Sequence, residues 1–388
     1  MASIQQKFSM QTRPNWAEIS FSALAHNFHV VASHVSPRTT VCAVVKCDAY
    51  GHGVVRVSQT LEEAGAKFLG VTSTEEGVAV REAGVRARIL VMTGFWRGEE
   101  EAVIHHELTP AIATLEHLES LERAAEALGR PTKSIAVHLK VDTGMTRLGL
   151  PMAELPDFLG RLKASRYIQL EGIFSHLASS EVMGAADAEQ QIARFAEVRQ
   201  TVEASGLQPA YRHLANSAAV VARPNTWDNM VRPGILLYGY ELPLAGVETP
   251  VPHLNLEPVL TWKTRIIALR DVPPGRAVGY NGRFVTRAES RIAIVPVGYG
   301  DGFTRHLSNR GRVIVRDQYA PIAGNVSMDL TALDVTGVAG ASIGDEVILI
   351  GKSERCFVPA TEHARFADTV VYEILCGLSP RVPRIYVE

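Results

Sequence analysis

The stretch that decides the fold is Thr40-Val-Cys-Ala-Val-Val-Lys-Cys-Asp-Ala-Tyr-Gly-His-Gly53. Its first half, Thr40–Lys46, is mostly apolar and β-branched, which is typical of a strand buried on both faces. Directly after it, Val54, Val57 and Leu61 fall near helical spacing. A buried strand followed at once by a helix indicates one unit of a parallel α/β sheet.

The same alternation of strand and helix continues to about residue 235. The candidate strands are Thr40–Lys46, Lys67–Thr72, Arg88–Met92, Thr109–Ala113, Ser134–Val141, Ile168–Ser175, Ala210–Leu214 and Asn229–Gly234. Helical patterns lie between most of them, and Ser73-Thr-Glu-Glu76 has the form of a capping box that opens one such helix. Eight strands over roughly 200 residues predict a (β/α)8 TIM-like barrel. A doubly wound parallel sheet is the competing arrangement, and the strand count fits both.

The pattern changes after Gly239. Prolines at 243, 250, 252 and 258 mark a linker, and strand-like runs with few helices follow it. These runs are Val259–Leu269, Arg291–Val297, Arg312–Val315 and Glu346–Ile350. The sequence therefore predicts an α/β barrel domain over 14–245 and a mainly β domain over 246–388, with residues 1–13 packing against the second domain.

Composition excludes several classes of function. The formal net charge is −2, so no global charge favours nucleic acid or an anionic membrane as a partner. No apolar run approaches the length of a membrane span, and Met1–Met10 lack the apolar core of a secretion signal. The cysteines at 42, 47, 356 and 376 show neither CxxC pairing nor metal-ligand spacing. These features indicate a cytoplasmic protein with reduced thiols.

Lys46 is the first candidate for catalytic chemistry. It ends an apolar strand, and in a barrel it would project into the mouth formed by the carboxyl ends of the strands. A partly desolvated lysine there can lose its proton and form an imine with an aldehyde cofactor. A lone lysine at a strand end is more often a solvated terminus. However, Tyr50 lies nearby, and Gly51 and Gly53 favour a tight turn that exposes backbone N–H groups.

The segment from Val44 to Gly53 resembles the lysine motif of the alanine racemases. These are fold-type III pyridoxal 5′-phosphate (PLP) enzymes, built from a barrel followed by a β domain. The resemblance runs from Arg13-Pro-Asn-Trp-Ala-Glu-Ile19 to Arg381-Val-Pro-Arg-Ile385, and so covers nearly the whole chain. Several separated motifs follow in the order of the family, which is stronger support than any single motif.

The resemblance implies that Lys46 binds PLP covalently. Val137–Gly149 resembles the motif on the fifth strand of the family. Within it, Arg147 matches the arginine that holds a catalytic tyrosine and helps to bind the substrate carboxylate. Lys140 matches a lysine that is often carbamylated in the family, although an ordinary salt-bridged lysine fits the sequence equally well. Thr146 stands where many relatives carry glycine.

Further cofactor contacts follow from the same resemblance. His176 matches a histidine that bonds the cofactor-facing arginine, although a lone histidine at a strand end is more often structural. Ser217, in the motif Asn216-Ser217, and the backbone amides of Gly234 and Ile235 match the phosphate site, and Tyr372 matches a further phosphate contact. The implied cofactor-binding set is Lys46, Tyr50, His176, Asn216, Ser217, Arg232, Gly234, Ile235 and Tyr372.

Arg232 is the residue that most favours racemisation over other PLP reactions. The resemblance places it opposite the pyridine nitrogen, where other PLP enzymes carry a carboxylate. A guanidinium does not give up its proton at ordinary pH, so the ring nitrogen should stay unprotonated. The deprotonated substrate would then be short-lived and quickly reprotonated, which disfavours transamination.

Racemisation needs a second base on the opposite face of the substrate. Ala277-Val-Gly-Tyr-Asn281 resembles the segment that carries it, which makes Tyr280 the candidate. In the family this tyrosine reaches the active site of the other subunit, so the resemblance implies an obligatory homodimer. By sequence alone, Tyr280 would be a buried structural aromatic. Tyr299 matches a residue at the substrate entrance, and the Met328 amide matches a contact to the substrate carboxylate.

The sequence therefore predicts a PLP-dependent alanine racemase that uses Lys46 and Tyr280 as its two bases. For a bacterial source, the resemblance implies supply of D-alanine for peptidoglycan. The alternatives are a racemase specific for serine or of broader range, and a non-catalytic PLP-binding protein, which lacks a second domain. A fold-type III decarboxylase would carry a carboxylate where Arg232 stands. No metal is expected, because His105-His106-Glu107 does not have the spacing of a zinc motif.

Overall fold

The computed structural model describes residues 13–247 and 251–388. Residues 1–12, expected to pack against the second domain, and Pro250 of the expected linker lie outside this range. In chain order, the strands are β1 (Asn15–Ser20), β2 (Thr40–Val44), β3 (Phe68–Val71), β4 (Arg88–Val91), β5 (Thr109–Ile112), β6 (Ile135–Asp142), β7 (Leu150–Pro151), β8 (Ile168–Phe174), β9 (Tyr211–His213), β10 (Met230–Val231), β11 (Leu260–Arg265), β12 (Ala268–Val272), β13 (Ala277–Val278), β14 (Phe284–Val285), β15 (Ser290–Val295), β16 (Arg312–Val315), β17 (Gln318–Pro321), β18 (Thr331–Asp334), β19 (Glu346–Lys352), β20 (Phe357–Val358) and β21 (Arg384–Val387).

The α-helices are fewer and lie mainly in the first half of the chain. They are α1 (Phe21–His34), α2 (Val54–Glu63), α3 (Thr74–Glu82), α4 (Glu100–His105), α5 (Leu115–Ala127), α6 (Leu155–Ala164), α7 (Ala186–Ala204), α8 (Ser217–Ala222), α9 (Ala360–Ala367) and α10 (Val371–Cys376). Within the described ranges, no helix is long and apolar enough to cross a membrane.

The chain forms two compact units. One is Ser22–Glu257, and the other joins the segment ending at Phe21 to Pro258–Glu388. The division lies twelve residues beyond the expected one at 245/246. The reason is local: the Asn27 side chain donates to the Glu257 carbonyl at 2.7 Å and accepts from its N–H at 2.8 Å. These bonds hold the linker against α1.

The first unit is a barrel of parallel strands in the order β10-β2-β3-β4-β5-β6-β8-β9, with β7 beside β6. All eight expected strands are present. Since β10 pairs with β2, the last strand returns to the first, which a doubly wound sheet does not do. The β9 and β10 segments are joined by a parallel bridge between Asn216 and Arg232. The barrel prediction is confirmed.

The interior of the barrel is packed with side chains. Cys42, Phe68, Leu90 and Met230 form a buried cluster inside it. Burial raises the pKa of the Cys42 thiol to about 12, so this cysteine is an inert part of the core. Because the interior is filled, a ligand site must lie at the ends of the strands.

The second unit is mainly β, as expected. Its largest sheet has the order β17-β16-β19-β11-β1-β21, and a second sheet has the order β12-β15-β18. The run expected as one strand at Val259–Leu269 is divided between β11 and β12. Strand β1 belongs to this unit because it pairs antiparallel with β11 and parallel with β21.

Candidate active site

Lys46 lies two residues after the end of β2 and immediately precedes an unusual left-handed turn. Four successive residues that are not glycine, Cys47–Tyr50, have φ between 51° and 56°. This conformation costs an L-residue about 1–2 kcal/mol because Cβ approaches the following carbonyl. Backbone bonds from Ala49 to the Val45 carbonyl, at 2.9 Å, and from His52 to the Ala49 carbonyl, at 3.1 Å, hold the turn. Strain of this kind is common at active sites, where the backbone holds a functional side chain in a fixed orientation.

Glu76 anchors the start of the turn. Its Oε1 accepts from the Cys47 N–H at 2.5 Å, and its Oε2 accepts from the Thr72 N–H at 2.9 Å. The capping-box prediction for this segment is confirmed for Ser73, whose Oγ accepts from the Glu76 N–H at 3.2 Å. The prediction is wrong for the Glu76 side chain. In a capping box this carboxylate would accept from the Ser73 N–H, whereas here it accepts from the N–H groups of Cys47 and Thr72.

The turn places Tyr50 against Gly234. A Cβ added to Gly234 would lie 2.2 Å from the Tyr50 Oη, so any larger residue would require the buried Tyr50 ring to move. The Gly234 N–H donates to the Ser217 Oγ at 2.8 Å. Asn216 caps α8 by accepting from the Ala219 N–H at 3.2 Å. The phosphate-site residues expected in this unit therefore meet around Gly234, and Ile235 follows it directly.

Arg232 is buried and held by uncharged acceptors. Its Nη1 donates to the His213 carbonyl at 3.0 Å, and its Nη2 donates to the Ser175 carbonyl at 2.7 Å. The expected partner His176 lies with its Nδ1 3.4 Å from Nη2, whereas the Nδ1 of His213 is closer, at 2.9 Å from Nη1. Burial lowers the pKa of Arg232 to about 10, which leaves the guanidinium charged at neutral pH.

A hydrogen-bonded chain that the sequence did not indicate extends from Arg232 through the barrel. Because Arg232 donates to the Nδ1 of His213, the Nε2 of His213 carries the hydrogen and donates to the Nδ1 of His138 at 2.8 Å. The Nε2 of His138 lies 3.4 Å from Glu171, which pairs with Arg88 at 2.5 Å. Burial lowers the pKa of both histidines, so both are neutral links in the chain.

Four positively charged side chains lie near one another at the carboxyl ends of the barrel strands: Lys46, Lys140, Arg147 and Arg232. Lys140 is 7% exposed, and burial, reinforced by Arg232, Arg147 and Lys46, lowers its pKa to about 8. The same surroundings, with burial again the largest cause, lower the pKa of His176 to about 3. None of the four cations forms a salt bridge with any carboxylate in residues 13–247 or 251–388. Such a cluster attracts anionic groups.

Arg147 lies in an exposed loop that Asp142 organises. The Asp142 Oδ1 accepts from the N–H groups of Gly144, at 2.9 Å, and Thr146, at 3.1 Å. Thr146 has φ of 55°, which is strained for a β-branched residue. This conformation explains why the family resemblance leads one to expect glycine at position 146.

Thr146→Gly should therefore raise the free energy of unfolding by about 0.5–1 kcal/mol, because relief of the strain exceeds the added entropy of the unfolded chain. Urea unfolding of the PLP-loaded protein measures the change. Thr201→Gly, in helix α7, is the matched control and should lower the stability. A Thr146→Gly protein no more stable than the wild type would show that position 146 is not strained.

The expected second-base residues meet in the second unit. Tyr280, Tyr299 and Met328 line one open pocket of about 610 Å³. Tyr280 is 71% exposed, which rules out the structural alternative of a buried aromatic. The Tyr280 carbonyl accepts from the Asn325 side chain at 2.8 Å, so the backbone is held while the ring is not covered. Tyr372 lies on α10 of the same unit and is half-buried.

Comparison with known proteins identifies the family. The models named alanine racemase N-terminal domain and alanine racemase C-terminal domain match residues 19–242 and 259–386. The chain belongs to the alanine racemase family. The alanine racemase of Halothermothrix orenii is 41% identical over 375 residues, or 97% of each chain. That of Geobacter sp. strain M21 is 41% identical over 383 residues, covering 97% of this chain and all of the relative.

Solved alanine racemases have the same fold. The enzyme from D-cycloserine-producing Streptomyces lavendulae gives a TM-score of 0.88 at 31% identity over 97% of both chains. The Bacillus anthracis alanine racemase, solved with bound L-Ala-P, gives 0.87 at 30% identity, covering 97% of this chain and 95% of that one. The protein is thus an amino-acid racemase, an isomerase, and PLP is the cofactor of its family.

The residues of this racemase fit PLP. The Gly234 amide, the Ser217 hydroxyl and the Tyr50 hydroxyl lie together, and amide and hydroxyl donors of this kind suit a phosphate. The cations at the strand ends lack carboxylate partners among the described residues, and PLP brings a phosphate and a ring oxygen as anions. Lys46 is partly exposed at the end of β2, where its amine can be reached.

The buried histidines should make this racemase unstable to mild acid. Because His138 and His213 have pKa values below that of a free histidine, the unfolded chain binds protons that the folded protein does not. The free energy of unfolding is then undiminished above about pH 6.5. Below that pH, protonation of each histidine in the unfolded chain lowers the free energy of unfolding by up to about 1.4 kcal/mol per pH unit. Urea unfolding of the PLP-loaded protein at about pH 7.5, 6.5 and 5.5 measures the loss.

His138→Asn should flatten this decline, whereas His29→Asn, at an exposed position, should leave it unchanged. An equal decline in the wild type and in His138→Asn would contradict the assignment of a neutral, buried His138.

Proposed function

We propose that the protein interconverts L- and D-alanine with Lys46 and Tyr280 as the two bases. The observation that carries the proposal is the cluster of Lys46, Arg147 and Arg232 at the carboxyl ends of the barrel strands, without paired carboxylates in the described chain. This cluster is suited to an anionic cofactor and to the carboxylate of an amino acid. Kinship with alanine racemases supports alanine as the substrate.

The chain would hold PLP with residues from several elements. The Lys46 Nζ would bind the aldehyde carbon, and Arg232 would face the pyridine nitrogen, with His176 beside it. The phosphate would be held by Ser217 and by the backbone amides of Gly234 and Ile235. Tyr50, Asn216 and Tyr372 would complete the phosphate site. PLP withdraws electron density from the α-carbon of the bound amino acid and so makes its proton acidic.

The two bases would then act on opposite faces. The Lys46 Nζ would take the α-proton from the D-isomer, and the Tyr280 Oη would take it from the L-isomer. The residue on the other face would return a proton. Arg147 would bind the substrate carboxylate and hold Tyr280 in position. The Met328 amide would also bind the carboxylate, and Tyr299 would line the entrance.

We also propose that Lys140 carries a carbamate. Its pKa of about 8 leaves a substantial neutral fraction near physiological pH, and a neutral amine is the form that attacks CO₂. The reaction forms the N–C bond and releases the proton of the amine. The product is an anion next to Arg147, which it would orient, and it would offset the excess positive charge of the cluster.

A homodimer would supply Tyr280 from the partner subunit. Tyr280, Met328 and Leu330 line the same pocket and are 71%, 53% and 45% exposed. Large, exposed apolar side chains grouped in one place are typical of an interface. We further propose that the protein is cytoplasmic and that it supplies D-alanine for peptidoglycan synthesis.

A mixture of two inactive variants tests the shared site. Lys46→Ala and Tyr280→Phe homodimers should each be nearly inactive. After unfolding and refolding together with PLP, half of the dimers are mixed, and each mixed dimer has one intact site. About a quarter of the wild-type activity should therefore return. Chiral chromatography of alanine measures it.

The control is a mixture of Lys46→Ala protein with itself, carried through the same refolding. If mixed dimers form, as shown by affinity tags on the two variants, and no activity returns, Tyr280 does not act across the interface.

A further inference from the structure

A second group of cations lies at the opposite end of the barrel from Lys46. A pocket of about 270 Å³ opens beside the first residues of β4, β5 and β6. Four arginines and one glutamate are its charged lining residues: Arg81, Arg86, Arg88, Arg130 and Glu107. Since all strands of the barrel run parallel, this pocket lies at their amino ends, whereas Lys46 follows the carboxyl end of β2.

Arg81 is a fixed part of the pocket wall. Its guanidinium donates to four backbone carbonyls, of which those of His106 and Val85 are at 2.9 and 2.6 Å. These bonds fix its position but do not neutralise its charge, because no salt bridge links Arg81 to a carboxylate of the described chain. The fixed positive charge of Arg81 at the pocket wall therefore favours an anion in the pocket.

Two of the arginines have guanidinium groups without a partner among the residues that the structure describes. The guanidinium of Arg130 forms no hydrogen bond or ion pair in the described ranges, and its Nε is buried. The Arg86 side chain likewise has none, although its backbone N–H donates to Glu62 at 2.8 Å. A buried N–H without an acceptor is rare in folded proteins, and it indicates that an acceptor from outside the chain completes the site.

We propose that this arginine pocket binds a phosphate-type oxyanion, as inorganic phosphate or as a small phosphate monoester. Guanidinium groups bind phosphate oxygens in pairs of charge-assisted hydrogen bonds. Arg86 and Arg130 supply free donors, and Arg81 and Arg88 add charge. Glu107 lines the same pocket and Glu171 pairs with Arg88, so these carboxylates offset two of the four charges and leave an excess of two.

The pocket is connected to the cofactor site by the hydrogen-bonded chain described above. Arg88 lines the pocket and pairs with Glu171, which contacts His138, and the chain continues through His213 to Arg232. An anion on Arg88 competes with Glu171 for the guanidinium, so its binding alters the polarisation of the chain. This connection rests on the proposed role of Arg232, whereas binding of the anion does not.

Calorimetric titration of the PLP-loaded protein with inorganic phosphate tests the site. The buffer is free of phosphate, chloride keeps the ionic strength constant, and bound PLP keeps the cofactor site filled. The wild type should show saturable binding, and Arg86→Gln/Arg130→Gln should bind at least about tenfold more weakly. Arg97→Gln removes an exposed arginine paired with Glu116 outside the pocket and should bind like the wild type. Equal binding by all three proteins, or none by the wild type, overturns the proposal.

Two further arms identify the ligand and the connection. Titration with glycerol 3-phosphate distinguishes the sources: tighter binding than phosphate assigns the site to a monoester, and weaker binding assigns it to free phosphate. Saturating phosphate should also shift the absorbance of bound PLP in the wild type but not in Glu171→Gln, which still binds the anion. Binding without a shift in the wild type would overturn the connection while leaving the site.

Discussion

Lys46→Ala should lose racemisation in both directions, by about 10⁴-fold or more. Lys46 is both the proposed attachment point of the cofactor and the base for the D-isomer, so both half-reactions need it. The left-handed turn that follows holds this side chain at the end of β2, and no other lysine has this position in the described part of the barrel. Chiral chromatography after incubation with L- or D-alanine measures the loss.

Tyr280→Phe distinguishes the two bases. The variant keeps Lys46 and should still exchange the α-proton of D-alanine with D₂O, without inversion, while exchange of L-alanine is lost. Because Tyr280 is 71% exposed, removing its hydroxyl should leave folding intact. Normal racemisation by Lys46→Ala, or equal exchange of both isomers by Tyr280→Phe, would contradict the assigned roles.

Arg232→Glu should change the type of reaction. A carboxylate at this position would stabilise the protonated form of the pyridine ring, so the deprotonated substrate would live longer and could be reprotonated at the cofactor carbon. Racemisation should fall by about 10²-fold or more. Transfer of the amino group from alanine to the cofactor should release pyruvate, up to one molecule per active site. Chiral chromatography and an assay coupled to lactate dehydrogenase measure the two products.

Arg232→Lys is the matched control, because it keeps a cation opposite the ring and should produce no pyruvate. Both variants lose donors to the carbonyls of Ser175 and His213, so both should be less stable than the wild type. Pyruvate formation by Arg232→Lys as fast as by Arg232→Glu would show that charge at position 232 does not select the reaction.

Much of the fold could be predicted because its signals are local. Buried parallel strands are short β-branched runs, and all eight barrel strands were recognised in this way. The position of β1 could not be predicted, because its partners β11 and β21 lie more than 200 residues away in the chain. The first unit ends at Glu257 because of another contact between residues far apart in the chain, the hydrogen bond from Asn27 to Glu257.

Two features of the site gave no signal in the sequence. Cys47–Tyr50 contains no residue with a strong preference for positive φ except Asp48, so a left-handed turn is not expected there. His138 and His213 each occur in an ordinary strand run, and their bond to one another forms only when β6, β8 and β9 are assembled. The motifs of the family identified Arg232 but not the chain of side chains behind it.

In the proposed mechanism, two residues on opposite faces of the substrate exchange its α-proton. Racemisation of protiated L-alanine by the wild-type protein in D₂O, followed by mass spectrometry of both isomers at early times, distinguishes this mechanism from one with a single base. The two-base account predicts that the D-alanine formed carries deuterium while the remaining L-alanine stays protiated. D-alanine that keeps the original proton would show that one residue both removes and returns it, and would contradict the account.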